Sequence, residues 1–411
     1  MKLKRLPEDF QVEELTEVGP TGSGEFAFYR LSKRSLGTPE AIEAISRRWK
    51  LDRRQISFGG LKDRHAVAQQ FLTIRRGPHR DLRQTNFDLE YLGQIDRPFG
   101  SSDSVGNHFQ IVLRSLEGDA LDRIADTLAG VCRDGLPNYF DDQRFGSLGS
   151  SGEFVARPWI AGDYEKALWL ALADANPLDR PRDREEKSFL RANWGDWPAC
   201  KEQLHGSVRS RIVNLLCDRP EDFRGALTYI RPEIRSLYLA AFQSYLWNRL
   251  LAVFLEHTCG IDDLEKIEQK MGSLPCYSRL NEETRKLIHG TELPLPSARI
   301  KLEEGPMQRL VEQSLAEGGL TLREIRVKYP RDSFFSKGWR RAAFAVESLT
   351  HQIADDELYR RRKKLTLRFD LPRGSYATIL IKRIAATEGI ASEPDAIESE
   401  RHEEETEASV E

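Results

Sequence analysis

The stretch Gln55 to Ile74, reading Q-I-S-F-G-G-L-K-D-R-H-A-V-A-Q-Q-F-L-T-I, sets two short apolar alternations on either side of a charged turn. Ile56 and Phe58 sit two apart, as do Leu72 and Ile74, which is the period of strands with one apolar face. Gly59-Gly60 is expected to admit backbone conformations closed to residues with a Cβ. The chain would then turn sharply and present Lys62, Asp63 and Arg64 at the end of a sheet. Taken alone, an Asp between two cations reads as a solvated loop carboxylate, and only the rest of the chain can make it a site.

At 411 residues the chain is long for one domain and suggests two or three. With 39% apolar and 31% charged residues it reads as a soluble globular protein. No run approaches the roughly 20 apolar residues of a membrane helix, so no membrane partner is expected. The basic start M-K-L-K-R has no apolar stretch behind it, which argues against a secretory signal and leaves the cytoplasm as the default compartment. Cys132, Cys200, Cys217, Cys259 and Cys276 are odd in number and nowhere spaced C-x-x-C, so neither a disulfide framework nor a zinc ribbon is expected. They read as buried or inert thiols. The histidines form no H-E-x-x-H pair and none falls near a Cys at finger spacing, so no metal is expected.

The formal net charge of −3 conceals an asymmetry, because from Glu393 to the end nine acidic residues face only Arg401. So polar and acidic a tail cannot bury enough surface to fold, and it reads as disordered and solvating. Within the body, Arg47 to Arg83 and Arg360 to Arg383 each carry a net +8. Two such segments would suit a polyanion, although Arg360 to Lys364 also reads as a plain solvated face.

Along the chain, Pro7 to Val12 looks extended. Gly19 to Gly24 lacks the G-K-[ST] ending of a phosphate loop and reads as a hairpin loop. Phe26 to Leu31 follows as a strand. Thr38-Pro39 reads as an N-cap with Pro at the first helical position, opening a helix with Ile42, Ile45 and Trp49 on its buried face and Arg47, Arg48 and Lys50 outside. Phe87 to Leu92 and Phe109 to Leu113 look like strands. Asn107, Phe109, Ile111 and Leu113 share one parity and should project to one side. A helix with Leu121, Ile124, Leu128 and Val131 along its stripe stops near Gly135. From Ser147 the character changes: Asn176 to Lys187 has the composition of a loop, and Ile234 to Leu246 carries the clearest helical period. Tyr245 and Trp247, on that helix, read as core. Short strands are expected near Leu293 to Ile300, and strand pattern returns at Ala342 to Val346 and Leu365 to Phe369.

Gly60, Lys62, Asp63, Arg64, Ala66 and Gln69 form G-x-K-D-R-x-A-x-x-Q. This pattern is preceded by P-E-D-F-x-V-E-E (Pro7 to Glu14) and followed by G-N-x-F (Gly106, Asn107, Phe109) and P-N-Y-F-x-x-Q-R-F-G (Pro137 to Gly146). In this order the motifs resemble the TruD family of tRNA pseudouridine synthases, and Leu371 to Thr378 looks like that family's C-terminal signature. One departure is Ala68, where the family usually has Thr. The resemblance implies an α+β fold: a discontinuous catalytic domain with a mixed, mostly antiparallel sheet and flanking helices, interrupted by a mainly helical insertion. The boundaries expected are 1–149 and 337–390 for the catalytic domain, 150–336 for the insertion and 391–411 for the tail.

By the same resemblance, Asp63 is the catalytic aspartate, Phe109 the ring that receives the target base, and Asn107 a residue that holds the loop or the base edge. Lys4 matches a basic position in the family and is expected to meet a phosphate or the active site, and Lys62 and Arg144 are expected to bind substrate. Converting uridine to pseudouridine imports no electrons or groups, so no cofactor is implied. The partner is tRNA, with position 13 the target in bacterial members, and similar enzymes work as monomers. Burial beneath a stacked base would disfavour a charged Asp63 unless a cation answers it. Lys62 and Arg64, at i±1, would point to the opposite face of an extended segment. A cation from elsewhere is therefore expected, with Arg144 the candidate. On parity alone Phe109 reads as core. A non-catalytic RNA-binding module is the alternative, and a hydrolase using Asp63 and His65 is a third reading.

Overall fold

The computed structural model describes residues 1–177 and 179–388; the acidic tail, 391–411, lies outside the described residues. The chain divides into two compact units, Pro137–Ala343 and a discontinuous one made of Met1–Leu136 and the chain from Phe344 onward. The expected boundaries lay at 149/150 and 336/337. The difference has a local cause at each end. The backbone N–H of Phe140 donates to Asn248 Oδ1 at 2.8 Å, and Asn248 Nδ2 donates to the carbonyl of Phe140 at 2.8 Å. At the other end, Trp339–Arg341 pairs with Glu292–Pro294.

The discontinuous unit holds strands β1 (Phe10–Thr16), β2 (Phe26–Arg34), β3 (Ile56–Phe58), β4 (Val67–Arg75), β5 (Leu82–Gln84), β6 (Phe87–Ile95), β7 (Ser104–Leu116), β8 (Glu347–Asp355) and β9 (Lys363–Pro372). They form one sheet in the order β8-β9-β7-β1-β4-β2-β6-β5, with β3 paired to β4. β1 and β4 run parallel, and the other pairings are antiparallel. Gly19 to Gly24 is accordingly not a hairpin loop: β4 lies between β1 and β2, so the connection crosses over it.

Helix α1 (Thr38–Trp49) buries Ala41, Ile42 and Ile45 against Tyr29, Leu31, Leu72 and Ile74, as its spacing predicts. Its N-cap is Gly37, not Thr38; the Thr38 hydroxyl has a different use, described below. Helix α2 (Ala120–Asp134) ends at Gly135, whose φ of 69° only glycine takes readily. Helix α3 (Ala377–Thr387) closes the unit and buries Lys382 and Arg383. Those two charges do not face solvent. Arg362, Lys363 and Lys364 pair with Glu117, Asp355 and Glu357. Those three are paired where they stand, while Arg360, Arg361, Arg368 and Arg373 of the same segment are exposed.

A buried ion cluster ties the start of this unit to its sheet. Arg114 on β7 donates through Nε to both oxygens of Asp9, at 3.0 and 2.9 Å, and through Nη1 to Asp356 at 3.0 Å. Asp9 also accepts from the N–H of Leu6 at 3.0 Å. The aspartate of P-E-D-F is thus structural.

The second unit is mainly helical around Pro232–Thr258. Trp247 is fully buried and donates to the carbonyl of Leu293 at 3.3 Å, while Tyr245 packs on Phe154 and Phe242, so both belong to the core. Part of the polar run expected as loop is helix, Pro181–Ala192. Proline at its first turn, the Lys187–Asp179 ion pair and Arg209 bridging Asp183 and Glu186 hold it. No described helix is long and apolar enough to cross a membrane.

Replacing Arg114 with Met leaves two buried carboxylates without their cation. Urea unfolding of Arg114→Met should show a loss of about 3–5 kcal/mol; a loss below about 1 kcal/mol would mean the cluster holds nothing together.

Candidate active site

The turn between β3 and β4 is pinned from several directions. Gln70 on β4 donates to the carbonyl of Gly60 at 3.1 Å and accepts from the Thr38 hydroxyl at 2.7 Å; Thr38 Oγ1 in turn accepts from the N–H of Lys62 at 2.9 Å. This is why Thr38 does not cap its helix. Gln70, not Gln69, is the glutamine that holds the loop, since alternation turns Gln69 to the other face of β4. The two glycines act differently from expectation, because neither has positive φ. A Cβ on Gly59 would lie 3.0 Å from Glu14 Oε1 and 3.2 Å from the Phe99 ring, whereas one on Gly60 would meet nothing. Close approach, not an unusual backbone angle, calls for glycine at 59.

The loop so held brings Asp63 against Lys4, whose Nζ donates to Oδ2 at 2.7 Å. The side chain of Lys4 is 4% exposed and that of Asp63 21%. Lys4 takes the left-handed backbone region, φ 52°, an uncommon conformation for a residue with a Cβ. It is aimed from the N-terminal segment, which pairs with β7 at Lys2–Arg114. A cation remote in sequence thus meets Asp63, namely Lys4. Arg144 lies in the helical unit, where it donates to Ser244 Oγ at 3.1 Å and stands 5.6 Å from the Phe140 ring. Arg64 is exposed and pairs with Glu40 at 3.6 Å.

Lys4 Nζ also lies 4.6 Å from the centre of the Phe10 ring. Phe10 meets Phe109 edge-on at 6.1 Å, and Phe109 stacks on Phe369 at 5.5 Å. Asp63 and Phe109 thus share a neighbourhood joined through Lys4 and Phe10. Phe109 is 7% exposed and is packed as a core ring. Val12 and Phe369 are its cross-strand neighbours, and Ala68, next to Val12 on β4, is fully buried. One step along, Asn107 stands opposite Glu14 and Leu371. Lys62 donates to Asn107 Oδ1 and pairs with Glu14 Oε1 at 3.6 Å. Glu14 is anchored through Oε2, which accepts from the N–H of Phe71 at 2.8 Å. Burial pushes the Lys62 ammonium below its ordinary range and Glu14 pulls it back up.

Two residues of this arrangement escaped the sequence reading. Glu14 follows Phe10 and Val12 on the buried parity of β1. Lys33 follows Tyr29 and Leu31 on the buried parity of β2, and donates to the carbonyls of Asp63 at 2.6 Å and Leu36 at 2.7 Å. A charged residue at an inward strand position was the available signal. Burial brings the Lys33 ammonium down to about 8, with Asp63 and Glu40 opposing the drop. Chemically, the site offers a carboxylate, an ammonium on it, an amide and an aromatic cluster.

Residues 1–384 match the family described as tRNA pseudouridine synthase D (TruD). A Methanocaldococcus jannaschii protein named probable tRNA pseudouridine synthase D 2 is 30% identical over 388 residues, covering 93% of this chain and 91% of that protein. The tRNA pseudouridine synthase D of Aquifex aeolicus is 26% identical over 394 residues, covering 93% and 98%. In fold, the chain is similar to the crystal structure of a Methanosarcina mazei protein provisionally named tRNA pseudouridine synthase D, with a TM-score of 0.70, 24% identity and 93% of each chain covered.

The lowered Lys33 value has a sign that can be tested. In the unfolded chain a lysine titrates near 10.4, so between about 8 and about 10.4 the unfolded state holds a proton that the folded state has lost. Stability contributed at this position is lowest and flat below about pH 8 and rises above it. Relative to Lys33→Met, the native protein should gain up to roughly 1.4 kcal/mol per pH unit across that window. Urea unfolding of both proteins at about pH 7, 9 and 10 measures it; a constant difference would contradict the assignment.

Proposed function

Since the chain belongs to the TruD family of tRNA pseudouridine synthases, we propose that it isomerises a uridine of tRNA to pseudouridine, at position 13, with Asp63 as the catalytic carboxylate. The observation that carries this reading is the Lys4–Asp63 ion pair beside Asn107 and Phe109. In the reaction the bond from C1′ to N1 breaks, the uracil turns, and C1′ joins C5. The proton on C5 is lost and N1 gains one, so atoms balance without a cofactor or metal. Asp63 serves either by attacking C1′ or by taking the C2′ proton to give a glycal. Its charge is answered by Lys4, which offsets the cost of holding a carboxylate under a base.

The target base has to leave the tRNA fold, and stacking on an aromatic ring recovers about 1–3 kcal/mol of that cost. Phe109 is the ring assigned to it, at the polar margin of a buried aromatic cluster. Phe369 already stacks on one face of Phe109, so the base would take the other. Arg144 is assigned to the substrate on its Q-R-F-G motif; an Arg144→Ala protein with full single-turnover rate would remove it. The protein acts in this reading as a cytoplasmic monomer.

The test is to incubate purified protein with unmodified tRNA and map the product by a pseudouridine-selective chemistry. Asp63→Asn should lower product formation by about 10²- to 10⁴-fold with tRNA affinity kept. Full activity in that variant would remove Asp63 from the chemistry, and released uracil or cut RNA would favour a hydrolase.

A further inference from the structure

We propose that Glu14 and Lys62 form a positioning pair that fixes the amide of Asn107 as a hydrogen-bond donor to a carbonyl oxygen of the target uracil. This rests on the activity proposed above and adds the polarity with which the site reads the base. An ammonium carries three donors and no acceptor, so the atom of Asn107 that faces Lys62 Nζ must be the amide oxygen. That settles the orientation on chemical grounds, where amide oxygen and nitrogen are otherwise interchangeable in outline. With Oδ1 used, the amide has only its N–H groups left to offer, and among the described residues these have no partner. Asn107 is half-buried and two residues before Phe109 on the same face of β7. A base against Phe109 would bring its edge to that donor.

The arrangement is held at every joint. Glu14 is the direct cross-strand neighbour of Asn107, its other oxygen is taken by the N–H of Phe71, and the main chain of Lys62 is tied to Thr38. The charges that act on Lys62 are Glu14 from β1 and Lys33 from β2. Glu14 is the one that opposes the lowering of the Lys62 ammonium by burial. Without it, Lys62 becomes a neutral amine at lower pH and gains a lone pair, and the amide is free to turn. Uracil presents acceptors at O2 and O4, whereas cytosine replaces O4 with an amino group. A group that can only donate discriminates between the two pyrimidines when the contacted oxygen is O4, and not when it is O2, which cytosine shares.

Asn107→Asp keeps the shape and the bond to Lys62 but removes the donor. It should lower kcat/KM by roughly tenfold to 100-fold with thermal stability retained. Glu14→Gln should shift the alkaline limb of the kcat profile to lower pH, which a purely structural role would not do. The contacted oxygen is identified with tRNA carrying 4-thiouridine or 2-thiouridine at the target, sulfur being the weaker acceptor. One of the two should slow the native protein but not slow Asn107→Asp further. Losses that simply add for both substrates, or an Asn107→Asp protein as fast as the native one, overturn the proposal. If the native protein makes no pseudouridine on unmodified tRNA, the parent reading fails instead.

Discussion

A lysine four residues from the N-terminus meeting a carboxylate on the β3–β4 turn is the contact on which the site depends. Lys4 reaches Asp63 only because the segment before β1 is held on both sides of it: Lys2 pairs with the backbone of Arg114, and Asp9 accepts from the same residue's guanidinium. The left-handed backbone at Lys4 costs roughly 1–2 kcal/mol and is maintained by those two attachments. The parallel pairing of β1 with β4 places the strand after Lys4 beside the strand after Asp63. One guanidinium on β7 thus sets where an ammonium far from it in chemistry can act.

Much of this was legible in the sequence because apolar alternation marks strand faces directly. The β3 and β4 alternations, the stripes of α1 and α2, and the shared face of Asn107 and Phe109 all follow from period. What escaped was whatever depends on strand order. Gly19 to Gly24 reads as a hairpin connection until β4 is known to lie between β1 and β2. Thr38 before Pro39 has the local signature of a cap, and tertiary partners on Gln70 and Lys62 outweighed it. The cation for Asp63 was expected to be remote, but periodicity cannot say which remote strand end arrives. Glu14 and Lys33 were visible as charges on buried parities, a signal that acquires meaning only when both are seen to converge on one loop.

The cross-strand rows set the surroundings of the candidate site. Phe369, Phe109, Val12, Ala68 and Lys33 make one row, and Leu371, Asn107 and Glu14 run in the next. The face changes from aromatic to polar within one step along the strands. A nucleobase needs both environments, an apolar surface for its plane and fixed dipoles for its edge. Phe109 lies at that change and also packs as a core residue, so its orientation is set by Phe10 and Phe369, and the role proposed for it would need no rearrangement of the ring. Preorganisation of this kind lowers the ordering cost of binding.

The discontinuity of the sheet has a consequence for the ribosome-bound chain. β7 acquires its outer neighbour β9 only after the whole stretch from Pro137 to Ala343 has been made. At synthesis rates of about 5–20 residues per second, that leaves the outer edge of β7 without its permanent partner for tens of seconds. The nascent first segment has to survive that interval as an incomplete sheet, and the last strands to emerge are those that seal it.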